Sequence, residues 1–416
     1  MRLLYSFFVQ LYTFIIYLSS PFNEKARLWK KGRENWKLKL KEIEFKNQDI
    51  FWFHCASLGE FEQGRPLMEM IKLRGNDKIL LSFFSPSGYE QQKKYKNADW
   101  VIYLPTDTIA NASYFISQVQ PKAVFFIKYE FWFNFLHVLH QKNIAVYLVS
   151  GIFRPRQHFF KWYGQWFAKQ LVAFDYFFVQ NELSFSLLHS IGYQNAIIAG
   201  DTRFDRVLQI KQQNKRFKEV ELFLGDAKIC VAGSTYAEDE QLLEVCLTQC
   251  IEKNISFKLI IAPHELSEGR LLAIEKLFEK FETVRFSKFS ELDKAKKVLI
   301  IDNIGMLSSL YHYATVAYIG GGFGKGIHNT LEAAVYGLPL IFGNNFQKFD
   351  EAKALVNVGA AFVVNDENEI KNILLKLLLE EEFLKSAGQN SLNFVQSNQG
   401  SVNKIMNLLV SKNIIK

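Results

Sequence analysis

Short, continuously apolar runs of strand length recur along this chain, with helical patterns between them, and this alternation limits the fold most narrowly. In the first half the runs are IFWFHCAS, KILLSFFS, WVIYLP, AVFFIKYE, AVYLVSG, YFFVQN and AIIAG. Runs apolar at every position suit parallel strands covered on both faces. Helical patterns, such as residues 60–73 and 109–118, make this a β–α–β alternation and hence a doubly wound sheet. A charged, strandless stretch, RFDRVLQIKQQNKRFKEVELFLGD, then intervenes. The pattern restarts with KICVAGST, FKLIIAPHE, ETVRF, KVLIID, TVAYIGGG, LPLIFG and AAFVV. With 416 residues, more than one ordinary core accommodates, the chain is read as α/β with two Rossmann-like αβα domains facing across a cleft. The expected parts are an apolar segment at 1–22, a first domain at 23–205, a linker at 206–224, a second domain at 225–395, and a final helix at 396–416 packing back on the first domain. A ligand is expected at the carboxyl ends of both sheets.

The amino terminus, LLYSFFVQLYTFIIYLSSPF at residues 3–22, carries no charge and is near the ~20 residues a spanning helix needs. A basic block follows, and residues 1–50 hold ten Lys/Arg against five Asp/Glu. A basic flank stays cytoplasmic, so this reads as an uncleaved anchor, spanning the bilayer or lying in its interface. A cleaved leader would carry its basic residues on the other side of the apolar run. The formal charge of +8 and pI near 9.0 call for an anionic partner: membrane, phosphorylated substrate or nucleic acid. Cys55, Cys230, Cys246 and Cys250 form no CxxC pair. Cys246 and Cys250, one helical turn apart, read as core packing in a reducing compartment.

In the second domain, YIGGGFGKGIHNTLEAAVYGLPLIFG ends a strand in three glycines, adds Gly324 and Gly326, and then starts a helical pattern. Glycines let backbone N–H groups approach an anion, and a helix amino terminus favours negative charge. The spacing is neither a dinucleotide fingerprint nor a P-loop. Glu332, in the first helical turn, would accept from sugar hydroxyls or cap the helix. The Gly loop followed by HNxLE points to a nucleotide sugar. VAGSTYAEDE is a second strand-to-helix turn, with Ser234 and Thr235 as phosphate donors or Thr235 as an N-cap paired with Glu238. Pro263 and His264 end another strand, where His264 would meet a phosphate, and Gly305, Met306 and Leu307 form a turn whose backbone would read a base.

In the first domain, HCASLGEFEQG brings Glu60 to the start of a helix, where an ionised carboxylate is favoured. It would serve as a general base for a sugar hydroxyl or as a helix-dipole acid. Glu130 and Lys128 follow a strand in aromatic surroundings, and AGDTRFD presents Asp201, Arg203 and Asp205, with Arg203 suited to an anion. SGIFRPRQHFFKWYGQWFAKQL mixes Arg154, Arg156 and Lys161 with Trp162 and Trp166, the composition of an interfacial helix. The same mixture would stack nucleic acid. The apolar amino terminus favours the membrane.

Taken in order, these motifs resemble the 3-deoxy-D-manno-octulosonic acid (Kdo) transferases, glycosyltransferase family 30. The matching elements are the anchor, SLGE, YEFWFN, GDTRFD, a Gly-Ser-Thr turn, Pro-His, and GGFGKGIHNTLEAA. The resemblance extends to about residue 395. It implies a GT-B fold and an inverting transfer without metal or other cofactor, from CMP-Kdo to a tetraacylated lipid A precursor. It also implies Glu60 as general base, Glu130 and Arg203 as transition-state support, and a CMP site lined by Ser234, Thr235, Pro263, His264, Gly305, Met306, Leu307, Gly326, Asn329, Thr330, Leu331 and Glu332. Arg154, Arg156, Lys161, Trp162 and Trp166 would form the membrane or acceptor surface. A monomer on the cytoplasmic side of the inner membrane, with an anionic membrane surface and no nucleic acid as partner, completes the expectation. Many family members carry Arg at the position of His264, Lys at that of Arg203 and an acid at that of Met306. The alternatives are another GT-B enzyme using a different nucleotide sugar, or a non-catalytic membrane-bound lipid or nucleotide binder.

Overall fold

A computed structural model of the chain describes residues 1–46, 48–75 and 77–415. Each of the fourteen apolar runs contains a strand, and the strands form two seven-stranded, wholly parallel sheets. The first sheet comprises β1 (Ile50–Cys55), β2 (Lys78–Phe83), β3 (Trp100–Tyr103), β4 (Ala123–Ile127), β5 (Ala145–Gly151), β6 (Tyr176–Val179) and β7 (Ala196–Ile198). The second comprises β8 (Lys228–Thr235), β9 (Phe257–Pro263), β10 (Thr283–Arg285), β11 (Val298–Ile300), β12 (Val316–Ile319), β13 (Leu340–Gly343) and β14 (Ala361–Val364).

The first sheet runs 3-2-1-4-5-6-7. Its order therefore reverses between β1 and β4, the place where a doubly wound sheet leaves a crevice at its carboxyl edge. The second runs 10-11-9-8-12-13-14 and reverses between β8 and β12. Two compact units result: Met1–Arg206 with the segment from Gln399 onwards, and Val207–Asn398.

Burial on both faces of the first sheet is nearly complete. Phe51, Trp52 and Phe53 on β1 and Phe125 and Phe126 on β4 have no exposure, and Phe53 stacks on Phe125 at 4.5 Å. Much of the chain's aromatic excess is therefore core. The final helix, Ser401–Ser411, joins this core through Val402, Ile405, Met406 and Leu409. Its start is held by Asp205, whose carboxylate accepts from the N–H groups of Gly400 (2.7 Å) and Val402 (3.1 Å). Asp205 thus serves the fold and does not extend the Arg203 loop as a site residue.

The amino-terminal helix, Arg2–Ser19, has no buried residue and is long and apolar enough to cross a membrane. One edge of it is nevertheless fastened to the first unit. Tyr5 donates to Asp107 (2.6 Å), Asn134 donates to Ser6 Oγ (3.2 Å), and Arg2 donates to Gln170 (2.8 Å). The remaining surface of the helix exposes Leu3, Phe7, Phe8, Phe14, Ile15 and Leu18.

Candidate active site

Three first-unit residues singled out by the sequence lie beyond the carboxyl ends of strands. β1 ends at Cys55, Ser57 is the N-cap, and the helix Leu58–Arg74 begins. Glu60 is the third helical residue and closes a capping box with Ser57. The Ser57 N–H donates to Glu60 Oε2 (2.8 Å), and the Ser57 hydroxyl donates to the same oxygen. The carboxylate is fixed through one oxygen, which leaves Oε1 to accept from an incoming group.

β4 ends at Ile127 and turns sharply, with Lys128 at a φ of 69° and its N–H bonded to Val149 O (2.8 Å). Left-handed backbone at a lysine costs on the order of 1 kcal/mol or more and marks a loop whose shape is imposed by its surroundings. The turn delivers Glu130, only 11% exposed, against two rings. Trp132 Nε1 donates to Glu130 Oε2 (2.6 Å), and His54 Nε2 lies 3.3 Å from the same oxygen.

Arg203 opens the helix Thr202–Gln212 after β7 and is held by Asp201 through its backbone N–H (2.9 Å) and its guanidinium (2.8 Å to Oδ2). Burial pushes the Asp201 carboxyl up, but Arg203 and the hydrogen bonds outweigh it and hold the group below the ordinary carboxylate range. Gln63, one helical turn beyond Glu60, donates to Asp201 Oδ1 (3.0 Å), and its carbonyl accepts from the Thr202 hydroxyl (2.5 Å). One chain of contacts therefore links the Glu60 helix to the Arg203 loop.

In the second unit, a pocket of about 290 Å³ opens beside the end of β9. It gathers Ser234, Pro263, His264, Gly305 and Leu307, which lie far apart in sequence, with Asn303 and Ile304 completing the wall. Ser234 holds a φ of 56°, again a left-handed non-glycine residue at a strand end. Met306, between Gly305 and Leu307, is buried at 7% exposure.

The Gly loop departs from expectation. Gly320 accommodates the end of β8, because a Cβ there would stand 2.7 Å from Thr235 Cα, and Gly326 holds a φ of 113°. Several of the loop N–H groups are engaged within the protein. Gly320 donates to Gly233 O, Gly321 to Asp239, Gly326 to Gly321 O, Ile327 to Asn345 O and His328 to Gly320 O. The following helix is only Leu331–Ala334, and the Leu331 N–H is bonded to Asn329 Oδ1. These amides thus serve the loop's own turn geometry, and the helix that follows is short. The Asn329 amide donates to Glu332 (2.9 Å), while Thr330 Oγ1 is buried with no partner.

The expected cap at Thr235 also moves. β8 runs through Thr235, the N-cap is Tyr236, and the capping-box partner is Asp239, not Glu238. The Thr235 hydroxyl donates instead to buried Glu240 (2.8 Å), which also binds Arg270. Asp239 accepts from Tyr236 N–H (2.9 Å), Gly321 N–H (2.9 Å) and the Tyr318 hydroxyl (2.7 Å), tying the loop after β12 to the helix after β8. Sequence reasoning missed Asp239, although an acid three residues past a strand-ending turn is a signal for it. It also missed the ring group of Tyr236, His264 and His328, whose centroids lie 4.6–5.8 Å apart. Burial, helped by His264, pushes the His328 imidazole down to about 4, so it is neutral at pH 7.

The basic aromatic stretch at 150–171 is not one helix. A 3-10 turn at His158–Phe160 and a short helix at Gln165–Gln170 flank Gly164, where a Cβ would overlap the His158 carbonyl. Arg154, Arg156 and Trp162 are exposed, Trp162 at 87%, and Lys161 is half-buried. Trp166 is half-buried and packs against Tyr5 and Phe133.

Two parallel doubly wound sheets, each with candidate chemistry at its switch point, define the GT-B class. In agreement, the chain superposes on the UDP-GlcNAc 2-epimerase of Neisseria meningitidis with a TM-score of 0.62 at 14% identity, covering 87% of this chain and 100% of that one. Residues 30–206 match the family model described as 3-deoxy-D-manno-octulosonic-acid transferase (kdotransferase). A 3-deoxy-D-manno-octulosonic acid transferase of Rickettsia typhi is 26% identical over 87% of this chain and 79% of its own length. A bifunctional glycosyltransferase/methyltransferase of Fusobacterium nucleatum is 28% identical over 90% of this chain, which spans 57% of that protein. The chain is thus similar to the Kdo transferases, by family model over residues 30–206 and by pairwise likeness over most of its length.

Proposed function

We propose that this protein transfers Kdo from CMP-Kdo to a tetraacylated lipid A precursor at the cytoplasmic face of the inner membrane, with inversion and without a metal. The observation that carries this reading is the placement of the ordered motifs at the switch points of the two sheets. The Glu60 and Glu130 turns follow β1 and β4, Ser234 lies at the end of β8, and the Gly loop follows β12. The roles divide between the units. The second holds the cytidine monophosphate portion at the pocket of Ser234, His264, Gly305 and Leu307. The first holds the acceptor and the base.

In the step itself, Glu60 Oε1 takes the proton of the acceptor's primary hydroxyl. The oxygen forms a bond to the anomeric carbon of Kdo while the bond from that carbon to the phosphate oxygen breaks, and CMP leaves with the electron pair. Inversion follows from attack opposite the leaving group. The sugar carbon becomes oxocarbenium-like, so a carboxylate fixed beforehand lowers the barrier without reorganising. Glu130 is that carboxylate, and Arg203, oriented by Asp201, balances charge on the anionic substrates.

The test supplies CMP-Kdo and lipid A precursor to the detergent-solubilised full chain, with the product read by mass spectrometry. Wild type is expected to add Kdo in the presence of EDTA, and Glu60→Gln is expected to lose roughly 10²- to 10⁴-fold in kcat. No transfer by wild type, or equal transfer by Glu60→Gln, defeats the proposal.

A further inference from the structure

His54 has no counterpart in the roles just described, yet it occupies an unusual position. It lies on β1 within IFWFHC, a strand otherwise made of apolar residues, and has no exposure. Its ring meets Phe126 (5.9 Å, 74°) and Trp132 (5.5 Å, 80°) edge-on. A leucine or phenylalanine would fill that space without burying two polar nitrogens, which is costly unless both are matched.

Both nitrogens have a polar atom close by. Nδ1 lies 2.8 Å from Ser82 Oγ on the neighbouring strand, and Nε2 lies 3.3 Å from Glu130 Oε2. Ser82 Oγ already accepts from Trp52 Nε1 (2.7 Å). The Ser82 proton has two possible acceptors, His54 Nδ1 at 2.8 Å and Phe53 O at 3.4 Å, and the shorter contact takes it. Nδ1 is then the acceptor, and Nε2 carries the proton that faces Glu130. The order Trp52 to Ser82 to His54 to Glu130 fixes the direction of every link. The last link is off-line for a hydrogen bond as it stands, so Nε2 lacks a formed bond. Contacts of this kind commonly tighten when substrate arrives.

We propose that His54 is a positioning residue, with the Nε2–H tautomer set by Ser82, that orients the Glu130 carboxylate together with Trp132. This rests on the reading of Glu130 as transition-state support. Trp132 and His54 both address Oε2, which leaves Oε1 directed by their combined geometry. Such outer contacts to a reacting group are worth roughly 10- to 100-fold in activity.

Three variants and one spectroscopic measurement test it in the full chain. His54→Phe keeps the ring volume and removes both nitrogens. It is expected to lower kcat roughly 10- to 100-fold with KM for donor and acceptor within about twofold. His54→Gln returns an N–H near the Nε2 position and is expected to recover part of the loss. A purely structural role for a buried ring predicts the opposite order, with Phe at least as active as Gln, and that order overturns the proposal. In a Glu130→Gln background, His54→Phe is expected to lower kcat no further, and additive losses count against the link. Independently of activity, ¹⁵N-histidine spectra of wild type are expected to show His54 protonated at Nε2 and not at Nδ1. The reverse tautomer overturns the proposal even if every variant misfolds. If wild type transfers no Kdo, the functional reading fails and this inference falls with it. If wild type transfers Kdo and His54→Phe matches it, only this inference fails.

Discussion

Asp107 is fully buried and accepts one of the hydrogen bonds that attach the amino-terminal helix. It accepts from Asn134 N–H (3.1 Å), Phe135 N–H (3.0 Å) and the Tyr5 hydroxyl (2.6 Å), so it caps the helix Phe133–Gln141 and tethers the first helix at once. Burial pushes its carboxyl up to about 6, against the opposing pull of Tyr5 and the two backbone donors. A carboxyl raised from its ordinary 3.8 binds its proton more tightly in the folded chain. Its contribution to stability is therefore full below about pH 3.8 and is lost as the pH rises through about 6. Asp107→Asn is expected to flatten the denaturation midpoint between those limits relative to wild type, measured in detergent by chemical unfolding at several pH values. An unchanged slope would remove Asp107 as the source. The sequence PTDTIA gives no sign of this role, because the partners lie 102 residues before and 27 residues after the acid. His54 was hidden for the opposite reason: it stands inside an apolar run.

At the scale of elements, the fourteen strands were legible because a strand buried on both faces must be apolar at nearly every position. The loops were legible in place but not in wiring. Which amide of the Gly loop is free depends on who bonds it, and Gly233, Asp239 and Asn345 claim those amides from three other elements. The one-residue shift of the cap from Thr235 to Tyr236 has a similar origin: β8 continues through a left-handed Ser234 that no propensity argument foresees. Asp239 is consequently the residue on which the second candidate site's shape depends. Asp239→Ala leaves the Gly321 N–H and the Tyr318 hydroxyl without partners in the interior. The expected cost is about 2–5 kcal/mol of unfolding free energy, with CMP binding weakened in parallel. Denaturant titration and calorimetry with CMP check the two halves, and a loss below about 0.5 kcal/mol would show that the loop holds its shape without this clamp.

For the molecule as a whole, the proposed membrane attachment would draw on apolar surface and positive charge in separable ways. The first helix exposes Leu3, Phe7, Phe14 and Leu18, and the same unit presents Trp162 with Arg154 and Arg156. Tyr5 meets Trp166 at 6.1 Å and Arg2 bonds Gln170, so the helix and the basic aromatic segment form one neighbourhood of the first unit. Burial of an 18-residue apolar helix in lipid resists salt, whereas attraction between basic side chains and anionic lipid is screened within about 8 Å at physiological ionic strength. The full chain is therefore expected to remain on anionic vesicles through a high-salt wash. Arg154→Ala with Arg156→Ala is expected to leave that retention intact while slowing acceptor turnover at low salt, since each basic residue near an anionic surface contributes about 1 kcal/mol. A chain lacking residues 2–19 is expected to bind the same vesicles weakly and to be released by salt. Vesicle flotation at two salt concentrations distinguishes these cases. Release of the full chain by salt would make the helix a structural cover for Phe133 and Asp107 and shift the attachment to the charges alone.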